Sequence, residues 1–166
     1  MFKLIEDPQN QKAMTANFKA PLHVSKGIRQ GMHISGKQLV GTLKKDMKAP
    51  KSGRTYRVYR GIGGSLLKRS RLHRASSKSE VPAIITGEFR KSIDFAVLGN
   101  SRLEFGSGSN GLAQKYAKVL ELGSSKMAAR KPLGRTVKKL PNQVKTNISK
   151  QINKNLKELG FKVKKT

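Results

Sequence analysis

The sequence contains no cysteine and no tryptophan, and only 9 of its 166 residues are acidic. The missing cysteine excludes disulfides, thiol nucleophiles and thiolate metal sites. No apolar run approaches the roughly 18–20 residues that are needed to cross a bilayer. The opening residues MFKLIEDPQNQ carry acids and a proline in place of an apolar stretch, which is not typical of a signal peptide. These features predict a soluble protein that is made in a cytoplasm.

Positive charge is what the chain has in excess. Lys and Arg number 36, which gives a formal net charge of +27. A compact particle with this charge repels itself at low salt, and the charge indicates a polyanion or an acidic protein as partner. The apolar fraction of 36% allows a modest core and leaves part of the chain for arms or loops.

The N-terminal third predicts an arm followed by a long helix. Residues 1–22 show little periodicity, and we expect an N-terminal arm there, with a single domain over residues 23–166. Apolar residues from Val24 to Met47 return at steps of four and seven, which is typical of one helix face. The same stretch contains four glycines, which are Gly27, Gly31, Gly36 and Gly41. Each weakens a helix by up to about 1 kcal/mol relative to Ala, and each can let another backbone approach closely.

The middle of the chain predicts strands and one short helix. Residues 55–59 favour a strand, residues 61–64 a turn, and the cationic residues 68–78 an exposed loop or strand edge. We expect Thr86 to cap a short helix through its hydroxyl. Apolar residues then alternate over residues 93–105, interrupted by a Gly-Asn-Ser turn, which predicts a β-hairpin.

The C-terminal part predicts two helices. Residues 112–122 favour a short helix that Gly123 ends. Pro141 starts the strongest helix, in which apolar residues recur at steps of four and three until Gly160, while the other face is rich in lysine. The final FKVKK could add a strand. The predicted fold class is α+β, in which a long early helix and a C-terminal amphipathic helix pack on a small antiparallel sheet.

Catalytic and metal sites are not indicated by the sequence. The three histidines lie far apart, and none has a partner at i+3 or i+4. The GIGGS stretch at residues 61–65 lacks the Gly-Lys-Ser/Thr of a phosphate-binding loop. The dispersed acids are expected to be ordinary ion-pair partners. We therefore expect no catalytic residue, no cofactor and no metal.

Glu121 is the one carboxylate that the pattern singles out. It stands between Leu120 and Leu122 at a predicted helix end, where burial would require a cationic partner. Arg130 is the natural candidate for that partner. The alternative is an ordinary surface glutamate.

Two basic stretches, residues 68–74 and 126–139, can neutralise phosphates or face an acidic protein. The cations that we assign to such a surface are Lys68, Arg69, Arg71, Arg74, Lys126, Lys131, Arg135, Lys138 and Lys139. Only Tyr56 and Tyr59 place aromatic rings near a basic run, and no zinc finger or aromatic-basic RNA-binding signature occurs. Any contact with nucleic acid is therefore expected to be independent of sequence, and a solvated surface is the alternative.

Several short motifs occur in a fixed order along the chain. They are Pro82-Ala83, Thr86-Gly87-Glu88-Phe89-Arg90-Lys91-Ser92-Ile93, Tyr116-Ala117, Leu120-Glu121-Leu122-Gly123-Ser124 and Met127-Ala128-Ala129-Arg130. Together they resemble the small tail-completion (neck, head–tail joining) proteins of long-tailed bacteriophages, the group that includes minor tail protein Z-like proteins. The resemblance covers residues 27–160. The family usually has Arg and Pro adjacent, whereas Lys131 separates Arg130 from Pro132 here, and Leu122 replaces a common Phe.

The resemblance implies an α+β structural protein of the virion, assembled in the host cytoplasm into a ring at the head–tail junction. The implied partners are other copies of the chain in a sixfold ring, connector or stopper proteins, and tail terminator or tail tube proteins. From its charge, the cationic surface is expected to face acidic neighbouring ring proteins, genomic DNA in the lumen without sequence preference, or both, and no contact with a membrane is expected. The subunit-interface candidates are Tyr116, Leu120, Glu121, Leu122, Met127 and Arg130.

Assembly is the expected mechanism. In a closed ring of identical subunits the contacts are heterologous, so that one patch meets a different patch on the next subunit. The rival class is a stand-alone protein that binds nucleic acid without sequence preference, because this class explains the charge equally well. An enzyme is the least supported class.

Overall fold

The computed structural model describes residues 8–60, 66–77, 80–84, 87–108, 111–125 and 127–162. The helices and strands in these residues confirm the predicted α+β class. Their order is α1 (Pro8–Lys48), β1 (Thr55–Arg60), β2 (Leu66–Arg74), α2 (Glu88–Ser92), β3 (Ile93–Leu98), β4 (Arg102–Ser107), α3 (Gly111–Leu122), α4 (Pro132–Lys139) and α5 (Pro141–Glu158).

The strands form two separate two-stranded sheets. β1 and β2 pair antiparallel in a register that sets Thr55 opposite Arg74, with an irregularity between Val58 and Arg60. Of the two alternatives for residues 68–78, an exposed loop or a strand edge, the structure has an edge strand that pairs with β1 as far as Arg74. β3 and β4 are the predicted hairpin, which the structure confirms.

The chain divides into two compact units. Unit 1 comprises Met1–Ser35, Val97–Leu103 and Asn142–Thr166. Unit 2 comprises Gly36–Ala96 and Glu104–Pro141. Helix α1 contributes residues to both units.

Unit 1 is built on close contact between α1 and α5. A Cβ atom added at Gly27 would lie 2.8 Å from the Ile152 Cα atom, and one added at Gly31 would lie 2.5 Å from the Ile148 Cα atom. These two glycines therefore let the helix backbones meet, as the sequence suggested. Helix α5 therefore makes close backbone contacts with α1 at these two glycines.

Buried polar side chains fix this helix pair. The Ser35 hydroxyl donates to the Gly31 carbonyl at 2.8 Å and accepts from the Asn147 amide at 3.2 Å. The buried Asn155 amide donates to the His23 carbonyl at 3.1 Å and to Gln30 Oε1 at 3.2 Å. Because a buried polar group is costly unless it is hydrogen-bonded, these contacts select one alignment of the two helices.

Unit 2 contains the hydrophobic core. Its buried cluster consists of Leu43, Met47, Phe89, Ile93, Ala117 and Leu120. The second half of α1 supplies Leu43 and Met47 at i, i+4, as its periodicity predicted. Gly36 gives space to another side chain, since an added Cβ would overlap the ring of Phe95.

Several boundaries differ from the predictions. α1 begins at Pro8, so described residues of the expected arm belong to a helix. The N-cap of α2 is Gly87, at φ +82° and without a side-chain hydrogen bond, where Thr86 was expected to cap. Helix α4 was not predicted. Thr86, the turn at residues 61–64 and the end of the expected last strand lie outside the described residues, and Phe161 and Lys162 form no strand.

Candidate functional site

The segment of residues 116–133 joins the end of α3 to the start of α4 within unit 2. Gly123 ends α3 in a left-handed conformation at φ +85°, where an added Cβ would lie 2.9 Å from the Ala129 nitrogen. Ser124 and Met127 then form an isolated antiparallel β-bridge. The N–H groups of Arg130 and Lys131 both donate to the Leu120 carbonyl, at 2.8 and 3.1 Å. The segment therefore folds back onto the last turn of α3.

Glu121 holds the start of α4. Its carboxylate accepts the N–H of Leu133 at 3.1 Å and the N–H of Gly134 at 2.9 Å. The N-cap residue Lys131 makes no side-chain cap bond, so Glu121 takes over the cap from another helix. A carboxylate is also favoured there by the positive end of the helix dipole. The prediction that Arg130 pairs with Glu121 is therefore wrong, since the first N–H groups of α4 satisfy this carboxylate.

Arg130 has a different partner. Its guanidinium donates to the hydroxyl of the buried Ser76, which also accepts the Ala83 N–H at 3.3 Å. Arg130 therefore ties the joining segment to the residues that follow β2. Its place within the unit is structural, while its guanidinium remains half-buried.

The remaining interface candidates divide into buried and exposed side chains. Leu120 is fully buried in the core, so it is not available to a neighbouring molecule. Met127 is half-buried and packs against that core. Leu122 is 69% exposed, and Tyr116 is exposed on one side while its ring meets Phe89 edge-on at 5.9 Å. Burial raises the pKa of the Tyr116 phenol, and the nearby Arg130 guanidinium partly opposes this rise.

Lys131, which lies between Arg130 and Pro132, has a defined conformation. Lys131 adopts φ +48°, and among the described residues it is the one non-glycine residue with positive φ. It precedes the buried Pro132, which occupies the first turn of α4. The extra residue between Arg130 and Pro132 thus takes up the turn at the N-cap.

The described basic candidates lie on several strands and helices. Lys68, Arg69 and Arg71 lie on β2, and the last residue of that strand, Arg74, is exposed. Lys126 lies outside the described residues.

On and before α4 the basic candidates differ in exposure. Lys131 and Lys138 are exposed, and Arg135 is half-buried. Lys139 donates to Asp46 Oδ2 at 2.6 Å, an exposed ion pair of the kind that contributes about 0–1 kcal/mol. Lys139 is thus partly neutralised within unit 2.

Sequence analysis missed an apolar row on α1. Met14, Phe18 and Leu22 follow one another at i, i+4 and i+8, and they are 61%, 82% and 70% exposed. Residues spaced in this way share one face of a helix. The signal was present in residues 1–22, but three positions were too few to predict a helix in the absence of a buried partner.

Within the described residues, no three His, Asp or Glu side chains come together in a way that could hold a metal ion. No helix in the same part of the chain is both long and apolar enough to span a membrane.

Comparison of the chain with protein-family models, with curated proteins and with solved structures finds no match in any of the three. Function is therefore inferred from the residues and their geometry.

Proposed function

We propose that the protein is a structural virion protein of a tailed phage. It forms a ring at the head–tail junction and joins the connector to the tail. Two facts support this: the ordered motifs of residues 82–130 resemble tail-completion proteins, and the α+β architecture agrees with that family. The ring is proposed to be sixfold, with other copies of the chain and the adjoining connector and tail proteins as partners.

The apolar row of α1 is the observation that carries the proposal. Phe18 is 82% exposed, although the chain is highly charged, with a net charge of +27. Exposure of an apolar row to water is unfavourable, so burial of the row against another surface would stabilise it. Rows of this kind mark surfaces that another protein covers. Leu122 adds a second exposed apolar side chain, in unit 2. An apolar row in unit 1 and an exposed leucine in unit 2 are two different apolar features, which suits the heterologous contacts of a ring.

The net charge predicts the order of the assembly steps. A subunit with a net charge of +27 repels its own copies, so it stays monomeric until an acidic partner or DNA neutralises it. Sedimentation of the purified protein at low salt should therefore show monomers. A stable ring under those conditions, with no partner present, contradicts this order of assembly.

An early stop codon in the gene tests the joining role. Negative-stain microscopy of the resulting lysates should show separate full heads and finished tails. Normal tailed particles would remove the protein from the junction. They would favour the second candidate, a protein that binds nucleic acid without sequence preference, which the net charge of +27 supports.

A Phe18→Ser substitution tests the surface itself. Removing the most exposed ring of the row should lower the yield of joined particles by tenfold or more, on the order of a lost interface hot spot. Lys19→Ser is the matched control, because it changes an exposed neighbour on the same helix turn. Equal yields from the two variants would remove this row from the proposed interface.

A further inference from the structure

β1 and β2 form a two-stranded ribbon within unit 2, and in the described residues they pair with no further strand. β2 has nine residues, so the ribbon is about 30 Å long at about 3.3 Å per residue. The register sets Thr55 opposite Arg74 and Arg57 opposite Leu72. These four residues share one face, because residues two apart on a strand point the same way.

The base of the ribbon is held by backbone hydrogen bonds and one carboxylate. The Gly53 N–H donates to the Ala75 carbonyl at 2.9 Å. The Glu80 carboxylate accepts the N–H of Ser52 at 3.1 Å and the N–H of Ser77 at 2.9 Å. An isolated two-stranded ribbon is only marginally stable in water, so these contacts fix its position on unit 2.

The charge of the ribbon has one sign. Residues 51–77 contain eight Lys and Arg side chains and no acid. Arg57 and Arg74 are both exposed. They are diagonal neighbours across the strand pair, and the Cα atoms of such neighbours lie about 7–8 Å apart. The Glu80 carboxylate at the base of the ribbon accepts hydrogen bonds from backbone N–H groups. The repulsion between the exposed guanidinium groups is therefore relieved best by an anion from outside the chain.

Aromatic and apolar side chains accompany the cations. Two of the three tyrosines of the chain, Tyr56 and Tyr59, lie on β1 and are 40% and 59% exposed. Tyr56 pairs with His73, so it lies on the opposite face of the ribbon from Arg57. Leu72, opposite Arg57, is 72% exposed. Tyrosine hydroxyls and arginines are among the groups that contact phosphates in protein–DNA complexes. The two strands contain no Asn, Gln, Asp or Glu, which are the residues that pair with adenine or cytosine edges.

We propose that this ribbon binds duplex DNA through the phosphate backbone and without sequence preference. The major groove is about 12 Å wide and admits a two-stranded ribbon, and the duplex carries one negative charge per about 1.7 Å of its axis. Under the proposed function, the ribbon is the part of each subunit that contacts the genome. The binding itself does not depend on the ring.

Salt-dependent binding of a fluorescein-labelled duplex to the full chain, followed by anisotropy, tests the proposal. The ribbon variant is Arg57→Gln/Arg74→Gln. The matched control is Lys150→Gln/Lys154→Gln, which removes the same charge from exposed positions on α5. The ribbon variant should lose about tenfold or more in affinity at about 100 mM salt, and its slope of log affinity against log salt should fall by about 1–2. The control should stay within about twofold of the wild type.

Further measurements separate a local site from general charge. Arg57→Lys/Arg74→Lys keeps both charges and should keep the salt slope, which also excludes loss of folding as the cause. A duplex of unrelated sequence should bind equally well. Equal losses in the ribbon and control variants, or a wild type that does not bind the duplex, would overturn the proposal. So would binding of polyglutamate more tightly than the duplex at equal charge concentration, which would assign the ribbon to an acidic protein. None of these outcomes changes what the stop-codon lysates show, so the two proposals fail separately.

Discussion

The two compact units bury different kinds of side chain. Unit 2 encloses an apolar cluster in which Leu43, Ile93 and Leu120 are almost completely buried. Unit 1 brings helix backbones together at glycines and buries the polar Ser35 and Asn155. The apolar cluster stabilises through area removed from water, whereas the glycine contact stabilises through fit and paired hydrogen bonds. The stability of the apolar cluster should fall most when a side chain loses volume, and the stability of the glycine contact should fall most when a side chain gains volume.

The largest expected effect is a truncation in the core of unit 2. Leu43→Ala should lower the free energy of unfolding by about 3 kcal/mol, because it removes buried methyl groups and leaves a cavity. Urea denaturation measures the change. Leu98→Ala, at a position that is 47% exposed, should change it by less than about 0.5 kcal/mol. Similar values for the two variants would contradict the assignment of the core.

An added methyl group should show the opposite sensitivity in unit 1. Gly31→Ala places a Cβ atom 2.5 Å from the Ile148 Cα atom, and the resulting overpacking should cost about 1–3 kcal/mol. Gly41→Ala on the same helix meets no atom within 4 Å and should stabilise by up to about 1 kcal/mol through helix propensity. Thermal denaturation of the two variants should therefore give shifts of opposite sign. Shifts of the same sign would show that the α1–α5 contact is looser than described.

The cap that Glu121 provides to α4 should be a smaller contribution to unit 2. Glu121→Gln removes the charge that two α4 N–H groups face, and should cost about 1–2 kcal/mol. Glu158→Gln, at an exposed position, serves as the control and should change stability by less than about 0.5 kcal/mol. If Arg130→Gln lowered stability and Glu121→Gln did not, the assigned partners would be wrong.

The smallest expected effect concerns pH and again belongs to unit 2. Hydrogen bonds from the backbone N–H of Ser77, and then those from Ser52, lower the pKa of Glu80 to about 2 from its usual 4.5. Because the folded pKa is the lower one, the contribution of Glu80 is complete above the usual value and is lost as pH falls toward 2. Urea midpoints of the wild type and Glu80→Gln should therefore differ at about pH 6 and converge near pH 2. A difference that persists unchanged at the lower pH would exclude ionisation as its cause.

Periodicity predicted the elements whose apolar residues are buried within the chain. The stretch from Val24 to Met47, the hairpin and α5 were all found in this way. The start of α1 was missed because Met14, Phe18 and Leu22 face no partner in the described residues, and exposed apolar residues give no second signal.

The partners of individual side chains were less predictable than the elements. Glu121 was expected to need a cation, but its partners are backbone N–H groups of a helix that the sequence did not reveal. That helix, α4, has eight residues, with Gly134 in its first turn. The choice between a loop and a strand edge at β2 stayed open for a related reason: its cationic sequence does not alternate, and pairing with β1 identifies it as a strand. Tertiary contacts decided these cases, and a single sequence does not display them.

Asn155 selects the alignment of the two helices of unit 1. A slip of one turn, about 5.4 Å, would carry the Asn155 amide away from the His23 carbonyl and from Gln30. The buried amide would then lack acceptors, at a cost of about 1–3 kcal/mol. A more apolar residue at this position would fit the contact between the helices. It would no longer favour this alignment over one that is shifted by a turn, so the helices would still associate but in more than one alignment.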